Sequence, residues 1–77
     1  MAELVYSEEA KSIELGHYRH YKGGEYDVLF VGRYSEFDEP QEVVIYQDRN
    51  NRDLIWVQSI SRFLEKEGEV SRFAKVV

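Results

Sequence analysis

The residues best suited to chemistry lie in one short segment near the start of the chain, residues 16–24. Between Gly16 and the Gly23–Gly24 pair the segment holds only rings and cations, in the order His17, Tyr18, Arg19, His20, Tyr21, Lys22. Aromatic rings supply contact area and cations supply anchors, so this composition suits a surface that binds a peptide or a nucleotide. Two histidines three residues apart also raise the question of a metal site.

The spacing of His17 and His20 argues against metal binding. In a strand, residues three apart point to opposite faces, so the two imidazoles cannot converge on one ion without a bulge. The sequence has no cysteine, which also excludes disulfides and thiol redox chemistry. We therefore expect no metal and no cofactor, and we interpret His20 as a packed ring oriented by a backbone carbonyl.

The same alternation groups Tyr18, His20 and Lys22 on one face and Arg19 and Tyr21 on the other. One face contributes to the core, and the other presents ring and cation together. Two roles stay open for Arg19: a structural clamp, stacked on a ring or paired with an acid of the 36–42 loop, or an anchor for a partner. The candidate binding residues are Tyr18, Arg19, His20, Tyr21, Lys22, Arg33 and Trp56.

The elements that position these residues are predicted to be mostly strands. Alternating or β-branched runs predict strands at 26–34, 42–47, 54–58 and 70–77, and the Lys22–Glu25 stretch predicts a turn between two strands. Short helices are predicted near 7–14 and 59–66. This divides the chain into an N-terminal arm or short helix, 1–15, and a β domain, 16–77.

Four or five short strands, tight turns and a one-turn helix before the last strand predict a mainly β fold, a small SH3-like barrel. A small mixed α+β hairpin domain is the alternative. Strand alternation and the apolar side of the second helix predict one core, formed by Val28, Phe30, Val44, Trp56 and Phe63.

Size and charge limit the classes of function that the chain can have. The 77 residues suffice for one domain, 43% of them are hydrophobic, and the net charge is −5. Residues 36–48 contain five acidic side chains and no basic one, and the overall acidity disfavours nonspecific nucleic-acid binding.

No apolar run approaches the ~20 residues of a membrane span. The first residues, 1–4, lack a basic region followed by an apolar one. We therefore expect a cytoplasmic protein without a membrane partner.

Several motifs together resemble a small bacterial family known as domain of unknown function 1653. The resemblance covers residues 16–65 and rests on the 16–23 segment, Tyr26-x-Val28-Leu29, Arg33-x-Ser35-Glu36, the 43–46 strand, Trp56-Val57 and Phe63-Leu64-Glu65. Members of that family look like SH3-type barrels and have no established activity. The resemblance therefore implies an architecture and no particular reaction.

The chain departs from the family pattern at three places. Tyr34 stands where the family usually has histidine, Gln58-Ser59 where it has Arg-Pro, and Gln47 where an arginine is common. If the family used that histidine and those arginines to bind an anion, this chain has lost most of the site.

An enzyme is disfavoured, because no serine has a nucleophile motif and no glycine loop is followed by Lys-Ser/Thr. We expect a noncatalytic module that binds a protein or peptide, with a nucleic-acid accessory module as the alternative and homo-oligomer formation as a further expectation. The predicted surface lies near Tyr18, Arg19, Tyr21 and Trp56. It is edged by the acids Glu36, Asp38 and Glu39 and suits a basic and apolar peptide.

Overall fold

The computed structural model describes residues 5–36 and 38–77. Within these residues the chain forms α1 (Glu8–Lys11), β1 (Gly16–His20), β2 (Glu25–Tyr34), β3 (Gln41–Asp48), β4 (Ile55–Ser59), α2 (Ile60–Phe63), β5 (Lys66–Glu67), β6 (Val70–Ser71) and β7 (Phe73–Lys75). Strands dominate, and the prediction of a mainly β fold with short helices is confirmed.

Five strands form one antiparallel sheet in the order β4-β3-β2-β1-β7, and β5 and β6 form a separate hairpin. The paired strands describe an open sheet, and their order is consistent with the SH3-like interpretation. The predicted last strand is divided in two. Gly68, at φ 64°, turns β6 back onto β5, and only β7 joins the main sheet beside β1.

Both helices are single turns that begin at a serine. The hydroxyl of Ser7 accepts the backbone N–H of Ala10, and the hydroxyl of Ser59 accepts that of Arg62. The helix α1 is shorter than the predicted 7–14 span and buries only Ala10, whereas α2 is the single turn predicted before the last strand. No helix in residues 5–36 or 38–77 is long and apolar enough to cross a membrane.

The core lies on one side of the sheet, here called the inner face. Its centre is a set of rings: Phe63 of α2 stacks on Phe73 of β7 at 4.6 Å between centroids, and Tyr18 meets Phe63 edge-on at 5.3 Å. The buried cluster comprises Ala10, Tyr18, Val28, Val44, Tyr46, Ile60, Phe63 and Phe73. A domain of this size buries only a limited apolar area, and large aromatic side chains increase the area that each core residue buries.

The predicted core is correct for Val28, Val44 and Phe63 and wrong for Phe30 and Trp56. The side chain of Phe30 is 62% exposed because β2 contains a bulge: Val28 pairs with Tyr46, yet Phe30 pairs with the adjacent Ile45. One extra residue reverses the alternation, so Phe30 points away from the core. Trp56 is 47% exposed and lies on β4, an edge strand that pairs only with β3 among the described residues.

Candidate functional site

Three of the seven candidate residues meet in a cleft where β1 ends beside the C-terminal strand. The cleft has a volume of about 440 Å³ and is lined by Arg19, His20, Tyr21, Gly23, Val70, Ser71, Ala74, Lys75, Val76 and Val77. We call it the β1–β7 cleft. One wall carries rings and Arg19, and the other combines apolar side chains with Lys75, which suits an amphipathic segment.

Backbone pairing fixes the two walls of the β1–β7 cleft. Arg19 lies opposite Ala74 and His20 lies opposite Phe73 in the antiparallel ladder. Just beyond β1, the N–H of Tyr21 donates to the carbonyl of Arg72 at 2.8 Å. The Gly23 turn, at φ 104°, then returns the chain into β2. The ladder and the turn together hold the ring of Tyr21 at the mouth of the cleft.

The Tyr21 ring is the aromatic surface of the cleft. It is 40% exposed, and the charged groups of Lys22 and Arg72 each lie 5.7 Å from its centroid. Cations at this distance are attracted by the negative face of an aromatic ring. Arg72 is also held by the carboxylate of Glu67, with its Nη1 at 2.7 Å. Of the two cations beside the Tyr21 ring, Arg72 is thus already paired with a carboxylate.

His20 supports the Tyr21 ring from behind. Its imidazole lies 4.7 Å from the Tyr21 ring and meets Phe73 edge-on at 4.9 Å. The backbone N–H of Lys22 donates to its Nδ1 at 3.1 Å, so a donor orients this ring where a carbonyl was predicted. Partial burial, and then the charges of Arg72 and Lys22, hold the pKa of His20 below its usual value, which favours the neutral ring.

Arg19 is anchored on the outer face of the sheet. Its Nε donates to Glu25 Oε2 at 2.6 Å, and the imidazole of His17 contacts the other oxygen of the same carboxylate. The hydrogen bond from Arg19, followed by that from His17, lowers the pKa of Glu25. Arg19 therefore pairs with Glu25 and not with the 36–42 loop, which was one of the partners left open for it, and its side chain remains 61% exposed.

The structure separates the remaining candidates from the cleft. Tyr18 is a core residue whose hydroxyl donates to the carbonyl of Glu14 at 2.7 Å, and burial raises its pKa. The guanidinium of Arg33 lies 4.0 Å above the ring of Tyr6, against the N-terminal segment. Trp56 belongs to β4, the edge of the sheet opposite β7. The prediction that Tyr18 and Trp56 share one surface with Tyr21 is wrong.

The acidic loop does not border this cleft either. Glu36, Asp38 and Glu39 follow the last residue of β2, whereas the Tyr21 turn precedes its first. A ten-residue strand spans about 30 Å, which separates the two regions. Among the residues that the structure describes, no three histidine, aspartate or glutamate side chains are placed to hold a metal ion.

Sequence reasoning missed the second wall of the cleft. Lys75 brings a cation to it, Val70, Ala74 and Val76 bring apolar side chains, and Arg72 lies beside the Tyr21 ring. The mixture of apolar residues and cations in residues 70–77 was a usable signal. It required knowing that this last segment pairs with β1, which is a long-range contact that local patterns do not encode.

Fold and cleft together define a small mainly β domain with an aromatic and cationic surface groove. Residues 16–75 match the family described as protein of unknown function (DUF1653), and the chain belongs to that family. The comparisons with curated proteins and with solved structures gave no match.

Proposed function

We propose that the protein is a noncatalytic binding module that takes a short segment of a partner protein into the β1–β7 cleft. The observation that carries this proposal is the half-exposed Tyr21 ring, set between cations and an apolar wall. An exposed tyrosine that its neighbours hold in place offers contact area at a small entropic cost on binding.

The charges around the cleft favour an acidic and apolar segment as the ligand. Lys75 and Arg19 line the cleft, and Lys22 lies beside its central ring. A carboxylate on the partner gains complementary charge there, and an apolar side chain next to it covers Val70 and Val76. The acidic loop, whose position favoured a basic peptide in the sequence, lies at the far end of β2.

Single-stranded nucleic acid is the second candidate, because the same ring and cations can stack a base and contact a phosphate. Two observations weigh against it. The net charge is −5, and Arg33, a predicted phosphate contact, is stacked on Tyr6. Phosphate neutralisation makes affinity fall steeply with salt, so the two candidates differ in a measurable way.

The test is selection from a random peptide display library, followed by calorimetry of the enriched peptides. We expect enrichment of acidic and apolar sequences and a loss of at least about tenfold in affinity for Tyr21→Ala. Tyr34→Ala is the matched control, since Tyr34 is 47% exposed at the other end of β2. Peptides that bind Tyr21→Ala and the unmodified protein equally contradict the proposal.

A fluorescent single-stranded DNA of about 12 nucleotides tests the second candidate on the same samples. Submicromolar binding that is lost with Tyr21→Ala and weakens steeply with added salt would replace the peptide proposal with the nucleic-acid one.

A further inference from the structure

The outer face of the sheet carries an exposed apolar patch that the fold does not use. Phe30, Ile45 and Val57 lie side by side across β2, β3 and β4, and Ile55 lies two residues from Val57 on the same side. Phe30, Ile55 and Val57 are 62%, 54% and 60% exposed. We call these four residues the outer patch. Adjacent apolar side chains of this exposure mark an interaction surface.

A gap lies beside the patch at Gly32, two residues beyond Phe30 on the same face. A Cβ added at Gly32 would meet no atom of the described residues within 4 Å, so none of them fills this position. Gly32 is not among the glycines with positive φ, so its backbone does not require glycine. The exposed ring of Phe30 and the open space above Gly32 are thus a projection and a recess next to each other.

The two ends of the outer face carry different charges. At one end, the loop after β2 holds Glu36, Asp38 and Glu39 with no cation in residues 35–41. At the other end, Arg49 and Arg52 share the carboxylate of Asp27, at 3.4 and 3.5 Å, in a hairpin that also holds Asp48 and Asp53. Two guanidinium groups on one carboxylate leave donors available to a further acid.

We propose that the outer patch binds a second copy of this chain, with the two sheets antiparallel about a two-fold axis near Phe30. Such an axis places the acidic end of each copy over the arginine end of the other. It also brings the Phe30 ring of each copy to the recess at the partner's Gly32. The exposed guanidinium groups of Arg49 and Arg52 and the acids of the loop after β2 favour this occupant, because both belong to the same chain.

The expected dimer is weak and depends on concentration. The three strands β2, β3 and β4 and the length of β2 give a face of about 450 Å² per copy, below the ~800 Å² typical of stable complexes. The β1–β7 cleft lies at the sheet edge opposite β4 and shares no residue with the outer patch.

Sedimentation equilibrium over a concentration range up to about 1 mM tests the proposal on the unmodified chain. We expect the mass to rise from 9.1 kDa toward twice that value. Val57→Lys adds a charge to the outer patch and should abolish the rise. Leu15→Lys is the matched control, because it adds the same charge at a side chain that is 56% exposed elsewhere. A mass of 9.1 kDa throughout, or equal effects of the two variants, overturns the proposal.

A charge exchange tests the antiparallel arrangement. Arg52→Glu alone and Glu39→Arg alone should each weaken the dimer about tenfold, since each places like charges together twice per dimer. The double variant restores opposite charges and should recover the original association. A double variant as weak as either single one overturns the arrangement. Far-UV circular dichroism of each variant confirms that the chain remains folded, and association does not depend on the peptide measurements above.

Discussion

The two faces of the sheet differ most clearly at two neighbouring positions of β2. Val28 is 2% exposed and lies in the ring-rich core, whereas Phe30, two residues later, is 62% exposed. Regular alternation would place both side chains on the same face of the sheet. The bulge between them turns the side chain of Phe30 to the opposite face. The larger side chain is thus the one left in solvent.

This contrast shows that apolar character alone does not distinguish residues that hold the fold from residues available to a partner. Core side chains such as Phe63 of α2 pack against the buried rings of the inner face and are almost fully covered. Outer-face side chains such as Val57 remain mostly exposed. The inner face stabilises the fold, and the outer face is the surface that we propose for association.

The largest expected effect is on the inner face. Phe63→Ala removes a buried ring that stacks on Phe73 and should cost about 3–5 kcal/mol, enough to unfold much of a domain of this size. Phe30→Ala removes the same atoms from the outer face and should change the free energy of unfolding by less than about 0.5 kcal/mol. Urea denaturation of dilute, monomeric samples measures both. Similar costs for the two variants would show that the faces are wrongly assigned.

A smaller effect is expected where the N-terminal segment joins the inner face. Ser7 caps α1, and its hydroxyl and N–H both donate to the Glu42 carboxylate, at 2.6 and 2.7 Å. Ser7→Ala should therefore cost about 1–2 kcal/mol in thermal denaturation. Ser12→Ala, which removes only an exposed hydroxyl bonded to Glu9, is the control and should have little effect. Equal effects would mean that the link to Glu42 contributes nothing.

The smallest expected effect is a pH dependence at His20. Folding lowers the pKa of His20 below its ordinary value of 6.5. As the pH falls, the unfolded chain therefore binds a proton at this residue before the folded chain does. Its contribution to stability is complete above pH 6.5 and is lost as the pH falls through the lower folded value. His20→Phe keeps a ring against Phe73 and should flatten the change in stability between pH 7 and 5. Identical slopes for the variant and the unmodified protein would contradict this.

Local sequence patterns predicted most of the elements and only part of the site. Strand runs and capping serines such as Ser7 and Ser59 are local signals, and the structure contains the corresponding elements. The bulge before Phe30 has no such signal, because it depends on how β2 pairs with β3. Tyr21 was predicted as a binding residue because it lies in the segment of rings and cations at residues 16–24. Lys75 was missed, because its place in the cleft depends on pairing between distant parts of the chain.

We propose two separate surfaces on this molecule, the β1–β7 cleft for a partner segment and the outer patch for a second copy. Amide chemical shifts of one ¹⁵N-labelled sample, followed first on dilution and then on addition of an enriched acidic peptide, distinguish them. Dilution should shift residues of the outer patch, around Phe30, Ile45 and Val57. The peptide should shift residues 19–23 and 70–77. Overlapping sets of shifts, or peptide shifts centred on the outer patch, would show that the two surfaces are not separate.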